Sequence, residues 1–391
     1  MSNPKNPYPQ QPYPQQPYPG QQPYPGQQPY PGQQPYYPQQ PYPGQQPYYP
    51  QQPYPPQPGY PQGQQPYAPV PAQNPIPMQP NMPPIDQKKV DADAAALRKA
   101  MKGLGTDEAT LIQICANRTN SQRMAIKNQY KSSYGRDLIE DLKSELQGKF
   151  EDVMVALFTE PIEYDADELR KAMKGAGTNE DTLIEIIASR PPHILKQIIA
   201  KFNEKYKRNL ENDVKSETTG TLRTLLVSLL QCSRGTNPNP NPAQCAQIAN
   251  EIYKAGEGKL GTDESVFNKY FCNLSPAELA CVSKEYHKLT GHTILQAVDK
   301  EFSGDSKKAL KTIIYATLSP SEYFATRVHE AIKGWGTNDH LLIRILVSRD
   351  EIDMPQIKQF YRQLYGKDMV TDVKNDISGD YQKLMVELCS H

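Results

Sequence analysis

A short glycine loop recurs four times in this chain, and a sequence built that way folds as related copies of one small unit. The loops are GLGTDE at Gly103, GAGTNE at Gly175, GKLGTDE at Gly258 and GWGTND at Gly334, and they open segments of roughly 70 to 75 residues each. Counted from the last glycine of each loop, a carboxylate follows forty residues on: Glu145 after Gly105, Glu217 after Gly177, Glu301 after Gly261 and Asp376 after Gly336. The fourth copy keeps the acid while changing Glu to Asp, so the spacing belongs to carboxylate chemistry and not to one residue type.

Between loop and acid the apolar residues follow a helical period. In the first copy they are Leu111, Ile112 and Cys115, then Met124, Ile126 and Tyr130, then Leu138, Ile139, Leu142 and Leu146, then Val153, Met154 and Leu157. Breaks fall at Gly103 to Thr106, near Asn117 to Asn120, at Gly135, and near Gln147 and Gly148. With DADAAALRKAMK ahead of the loop, each copy reads as five short helices, and strand-like alternation is absent. The expected fold is therefore all-α, with units at 86–160, 161–235, 245–319 and 320–391. The NPNPNP run from Asn237 to Pro242 reads as an extended linker between the second and third. Thr106 is expected to be the hydroxyl N-cap of the helix after the loop, with Asp107 and Glu108 favoured at its positive end.

The first 85 residues are of another kind. Residues 1 to 69 contain no Leu, Ile, Val or Phe and vary the theme QQPYPG. That little aliphatic surface does not offset the entropy of ordering, so a disordered or polyproline-like tail is expected. Thirteen of the 25 tyrosines lie in it. Such a segment suits self-association, or contact with calcium-sensor proteins through YYP at Tyr36 and Tyr48. Lys5 is the one charged side chain before Asp86, so the 43 basic and 43 acidic groups leave residues 86–391 with a formal charge of about −1. A neutral domain gains little long-range attraction to nucleic acid, and no nucleic-acid partner is expected. The six cysteines form no CxxC pair, and neither a cleavable signal nor an apolar run of membrane-spanning length is visible, so a cytoplasmic protein is expected.

What the loop can do follows from its composition. Glycines let a tight turn expose its carbonyl oxygens, and a calcium ion accepts six to eight oxygens, carbonyls included. Three carbonyls and one bidentate carboxylate supply five, leaving the rest to water or an outside ligand. One carboxylate also leaves the ion about one positive charge uncompensated, so an isolated site is weak, near ~10⁻⁴ to 10⁻³ M. A lipid phosphate completes both shell and charge, and four such sites gain by avidity. The GxGxxG pattern from Gly256 to Gly261 follows a helical stretch and not a strand, which removes it as a dinucleotide fingerprint. No nucleophile and base pair is visible, and no enzyme is expected.

These features resemble the annexin repeat: the G-x-G-T loop, the preceding LRKAMK of the first two copies, GRDLIEDLKSEL from Gly135, and the step to the acid. The tail is similar to the long N-terminal regions of synexin-type members. The resemblance implies four repeats of five helices in a curved disc, with the loops on its convex face and calcium as the ligand. It implies calcium sites at the carbonyls of Met101, Gly103 and Gly105 with the Glu145 carboxylate, and of Met173, Gly175 and Gly177 with Glu217. The third uses Gly256, Lys259, Gly261 and Glu301, where the loop is one residue longer. The fourth uses Ile332, Gly334, Gly336 and Asp376. Thr106 and Glu108 are implied as secondary ligands. Leu104, Leu260 and Trp335 at the loop tips are expected to touch lipid, with Lys102, Lys174 and Lys333 on headgroup phosphates. The implied function is reversible calcium-dependent binding to acidic phospholipid membranes, with membrane aggregation and exocytosis aided by the tail. A helical interaction scaffold and a cation channel are the alternatives.

Overall fold

The computed structural model describes residues 85–390 apart from Leu104 and Ala176. The expected disordered tail, with Tyr36 and Tyr48, lies outside the described residues, as does the expected lipid contact of Leu104. Twenty helices run through the described part, five to a copy. The first copy holds α1 (Gln87–Ala100), α2 (Glu108–Ala116), α3 (Asn120–Tyr134), α4 (Leu138–Glu145) and α5 (Gly148–Leu157). The second holds α6 (Pro161–Ala172), α7 (Glu180–Ser189), α8 (Pro192–Tyr206), α9 (Leu210–Glu217) and α10 (Gly220–Leu230). The third holds α11 (Pro242–Ala255), α12 (Glu264–Phe271), α13 (Pro276–Thr290), α14 (Ile294–Glu301) and α15 (Gly304–Leu318). The fourth holds α16 (Pro320–Ile332), α17 (Asp339–Arg349), α18 (Met354–Tyr365), α19 (Met369–Asp376) and α20 (Gly379–Ser390). Each glycine loop joins the first helix of its copy to the second, and each distant acid is the last residue of the fourth helix.

The apolar pattern of the first copy becomes core. Leu111, Ile126, Tyr130, Leu138, Leu142, Val153, Met154 and Leu157 are fully buried, and Met124 and Ile139 pack against them half-exposed. Hydrophobic burial does not stay within one copy, however. One continuous core joins the first copy to the fourth, and a second joins the second copy to the third. Five short helices cannot cover their own apolar faces, so each copy completes its core against another.

Helix α11 begins at Pro242, where Asn241 caps it through a hydrogen bond from the Ala243 amide and Pro242 takes the first helical place. The segment before it, expected to be a linker, is tied down. Asn237 donates to Glu278 Oε1 at 2.9 Å, and Ser275 Oγ donates to the Asn237 carbonyl at 2.6 Å. All six cysteines are free thiols. Among the described residues no helix is long and apolar enough to cross a membrane.

Candidate functional site

The same backbone bond closes all four loops. The amide of Asp107 donates to the carbonyl of Ala100 at 2.9 Å, Asn179 to Ala172 at 2.9 Å, Asp263 to Ala255 at 2.7 Å and Asn338 to Ala331 at 2.7 Å. The closing residue also caps the following helix: Asp107 accepts from the Thr110 amide, Asn179 from Thr182, Asp263 from Ser265 and Asn338 from Leu341. Asp107, and not the expected Thr106, is therefore the N-cap. Both are capping residues by type, and the loop's closure selects the second. Thr106 and Glu108 stay half-buried at the loop's exit, with Glu108 as the first residue of α2.

Inside the loops, Gly103 and Gly105 take φ of +126° and +85°, Gly175 and Gly177 +120° and +95°, and Gly334 and Gly336 +118° and +89°. Three loops thus share one backbone conformation that residues with a Cβ rarely adopt. Nothing lies within 4 Å of where a Cβ would stand at these glycines, so conformation and not space demands them. Replacing Gly177 with Ala is expected to cost about 1–3 kcal/mol of backbone strain. Relief of that strain by a peptide flip re-aims the neighbouring carbonyls. Thermal melting without metal, together with a calcium titration, measures the two effects separately.

The third loop departs from this geometry. Only Gly261 is at positive φ, +80°, while Gly256 has φ −127° and its carbonyl accepts from the Lys259 amide at 3.0 Å. A Cβ on Gly256 would stand 3.1 Å from Glu301 Cγ, so close approach of the acid itself requires that glycine. The added residue is Glu257. It accepts from the Tyr286 hydroxyl at 2.6 Å and from Lys300 at 2.7 Å, with His292 Nδ1 at 3.0 Å. In the first and fourth copies the corresponding tyrosines donate to a fourth-helix acid, Tyr130 to Asp141 at 2.6 Å and Tyr361 to Asp372 at 2.9 Å. The third copy has Ala297 in that place. Burial pushes the Glu257 carboxyl up, but the hydrogen bonds from Lys300 and Tyr286, with the charge of Lys300, bring it below its ordinary range. Sequence reading missed this residue, although the missing acid at 297 was its signal.

Three of the four distant acids reach their loops. Thr178 Oγ1 donates to Glu217 Oε2 at 2.7 Å, Thr262 Oγ1 to Glu301 Oε2 at 2.5 Å, and Thr337 Oγ1 to Asp376 Oδ2 at 2.6 Å. Glu145 is instead exposed, and among the described residues Thr106 makes no hydrogen bond to it. Met101 and Met173 are buried and Ile332 is half-buried, which leaves only their backbone carbonyls to a ligand. Lys102, Lys174, Lys259 and Lys333 are exposed. At the loop tips Leu260 and Trp335 have relative exposures of 104% and 107%, more than any other large apolar residue described.

Among the described residues no group of three or more His, Cys, Asp or Glu side chains is placed to hold a metal. What the loops offer a cation is oxygen of another kind: backbone carbonyls in a tight turn and, in the second, third and fourth copies, one carboxylate. That donor set fits a hard ion tolerant of irregular coordination, calcium before magnesium, and does not fit zinc.

The annexin family model matches residues 92–157, 164–229, 247–313 and 323–388. Human annexin A7 is 45% identical over 296 residues, which is 76% of this chain and 61% of that protein. The fold superposes on chicken annexin V with a TM-score of 0.74 at 42% identity, covering 79% of this chain and 96% of that one. It superposes on calcium-bound annexin (Sm)1 with a TM-score of 0.70 at 32% identity, covering 80% and 93%. Four matched repeats, each with its closed glycine loop, make this chain a member of the annexin family.

Proposed function

We propose that this chain binds calcium at its glycine loops and through the ion attaches reversibly to membranes rich in acidic phospholipid. The observation that carries the reading is the set of paired positive-φ glycines at Gly103 and Gly105, Gly175 and Gly177, and Gly334 and Gly336, with a carboxylate brought to the loop in the second and fourth copies. The carbonyls of Met101, Gly103 and Gly105 with Glu145 form the first site, and those of Met173, Gly175 and Gly177 with Glu217 the second. Gly256, Lys259, Gly261 and Glu301 form the third, and Ile332, Gly334, Gly336 and Asp376 the fourth. Thr106 and Glu108 serve a secondary ion. When bound, calcium supplies positive charge beside exposed apolar tips, and a headgroup phosphate completes its coordination. Leu104, Leu260 and Trp335 enter the interface, where indole is well suited, and Lys102, Lys174 and Lys333 meet phosphates. The protein is cytoplasmic and peripheral, it is a binding protein and not an enzyme, and its tail joins membranes or recruits calcium-sensor proteins.

Cosedimentation with phosphatidylserine vesicles tests this. Binding is expected with calcium and release with chelator, and binding indifferent to chelator sinks the reading in favour of a helical scaffold. Deleting residues 1–85 is expected to abolish vesicle clustering while leaving binding intact. Equal clustering by both chains removes the tail from the function.

A further inference from the structure

We infer that Thr178, Thr262 and Thr337 are positioning residues that hold the site carboxylate at its loop before any ion arrives, and that the first loop, which lacks this bond, binds calcium more weakly than the second and fourth. The inference rests on the calcium reading above. Three facts support it. The bond recurs at one spacing, thirty-nine residues, in three copies and with either Glu or Asp as acceptor. It engages one carboxylate oxygen through a single hydroxyl, which leaves the other oxygen and further lone pairs for a cation. The first copy has the same residue types at the same spacing and nearly the same glycine dihedrals as the second, yet Glu145 is exposed. The difference between the first and second loops is therefore one of side-chain placement on a shared backbone.

A long acidic side chain at the last turn of a helix samples many rotamers, and binding an ion to it requires that freedom to be given up. Where a threonine has already restricted the carboxylate, less remains to be lost, which is preorganisation in its ordinary sense. The expected spread between loops is about twofold to tenfold in calcium midpoint, the range of one net hydrogen bond. The four loops then load over a range of calcium and not at one threshold.

Backbone amide resonances of Gly105, Gly177 and Gly336 in the full-length, lipid-free chain report each of these loops separately during a calcium titration. Gly105 is expected to respond at higher calcium than Gly177 and Gly336. Thr178→Val should move the Gly177 midpoint toward that of Gly105 while Gly336 stays in place, which also shows that the variant is folded. Thr178→Ser, which keeps the hydroxyl, should restore the original midpoint. Identical midpoints for the three glycines, an unmoved Gly177 in Thr178→Val, or failure of serine to restore it overturns the positioning role with the calcium reading intact. No response from any glycine overturns both.

Discussion

Exchanging Glu145, Glu217 and Glu301 for Gln and Asp376 for Asn is expected to abolish the proposed calcium-dependent binding to phosphatidylserine vesicles while leaving the helical fold in place. The acids close helices α4, α9, α14 and α19, where Glu145 is exposed and the others are half-buried, so a neutral isostere disturbs little packing. In the proposed sites each exchange removes the one formal negative charge offered to an ion. A site built of carbonyls alone leaves both charges of calcium uncompensated, and an affinity already expected to be weak, near ~10⁻⁴ to 10⁻³ M, falls further. The loss compounds across sites, because simultaneous engagement multiplies weak affinities by about 10² to 10⁴. Cosedimentation over a calcium series measures it, with circular dichroism as the control for folding. A fourfold variant that still sediments with calcium and releases with chelator places the ion elsewhere.

The single exchanges divide this effect unequally. Glu217, Glu301 and Asp376 are held by loop threonines, while Glu145 is not. Losing Glu145 alone should therefore cost the least.

The loops and their acids were legible in the sequence because both are local signals repeated at fixed distance. Gly105 and Glu145 recur as Gly177 and Glu217 in unbroken register, and helical periodicity between them left little choice of secondary structure. Trp335 was legible as an exposed tip because a residue between two glycines of a tight turn has nothing to pack against. Other features were not legible, for separable reasons. Thr106 and Asp107 are both good caps, and only closure of the loop onto Ala100 picks Asp107. Asn237 looked free because its partners, Ser275 and Glu278, lie some forty residues on in another element. The pairing of cores, first copy with fourth and second with third, leaves no trace in any one repeat, since every copy shows the same apolar face. The polar contacts that tie these two cores together are the least visible of all, being formed between ordinary helical residues far apart in the chain.

Glu185 is the centre of that seam, and its loss is expected to be the largest single destabilisation of the fold. Its side chain lies on α7 in the second copy, 1% exposed, where its carboxylate accepts from Arg344 Nε of α17 at 2.7 Å and faces Arg327 of α16 at 3.4 Å. Arg344 is itself 2% exposed and also donates to Thr182 Oγ1 at 3.2 Å. Glu185→Ala leaves two guanidiniums facing a site without its counter-charge, a loss of about 3–5 kcal/mol. At about 2 °C per kcal/mol for a folded region of this size, the melting temperature drops by roughly 6–10 °C. The charge, and not the contact area, is the cause, so Glu185→Gln should recover little of the loss. Adding Arg344→Met to Glu185→Gln should recover part of it, because the uncompensated guanidinium of Arg344 is then gone from the buried site. The pH dependence has a definite sign. Burial pushes the Glu185 carboxyl up, but the charge and hydrogen bonds of Arg344, with Arg327 behind them, bring it to a net value below its ordinary range. A folded-state pKa below the unfolded one means stability that is fully present above about pH 4.5 and lost as the pH falls through the lower folded value. The gap in melting temperature between wild type and Glu185→Gln should therefore be constant at neutral pH and shrink in acid. A gap that widens toward low pH, or a Glu185→Gln chain as stable as wild type, shows that the cores hold together by apolar contact and that the ion pair is incidental to them.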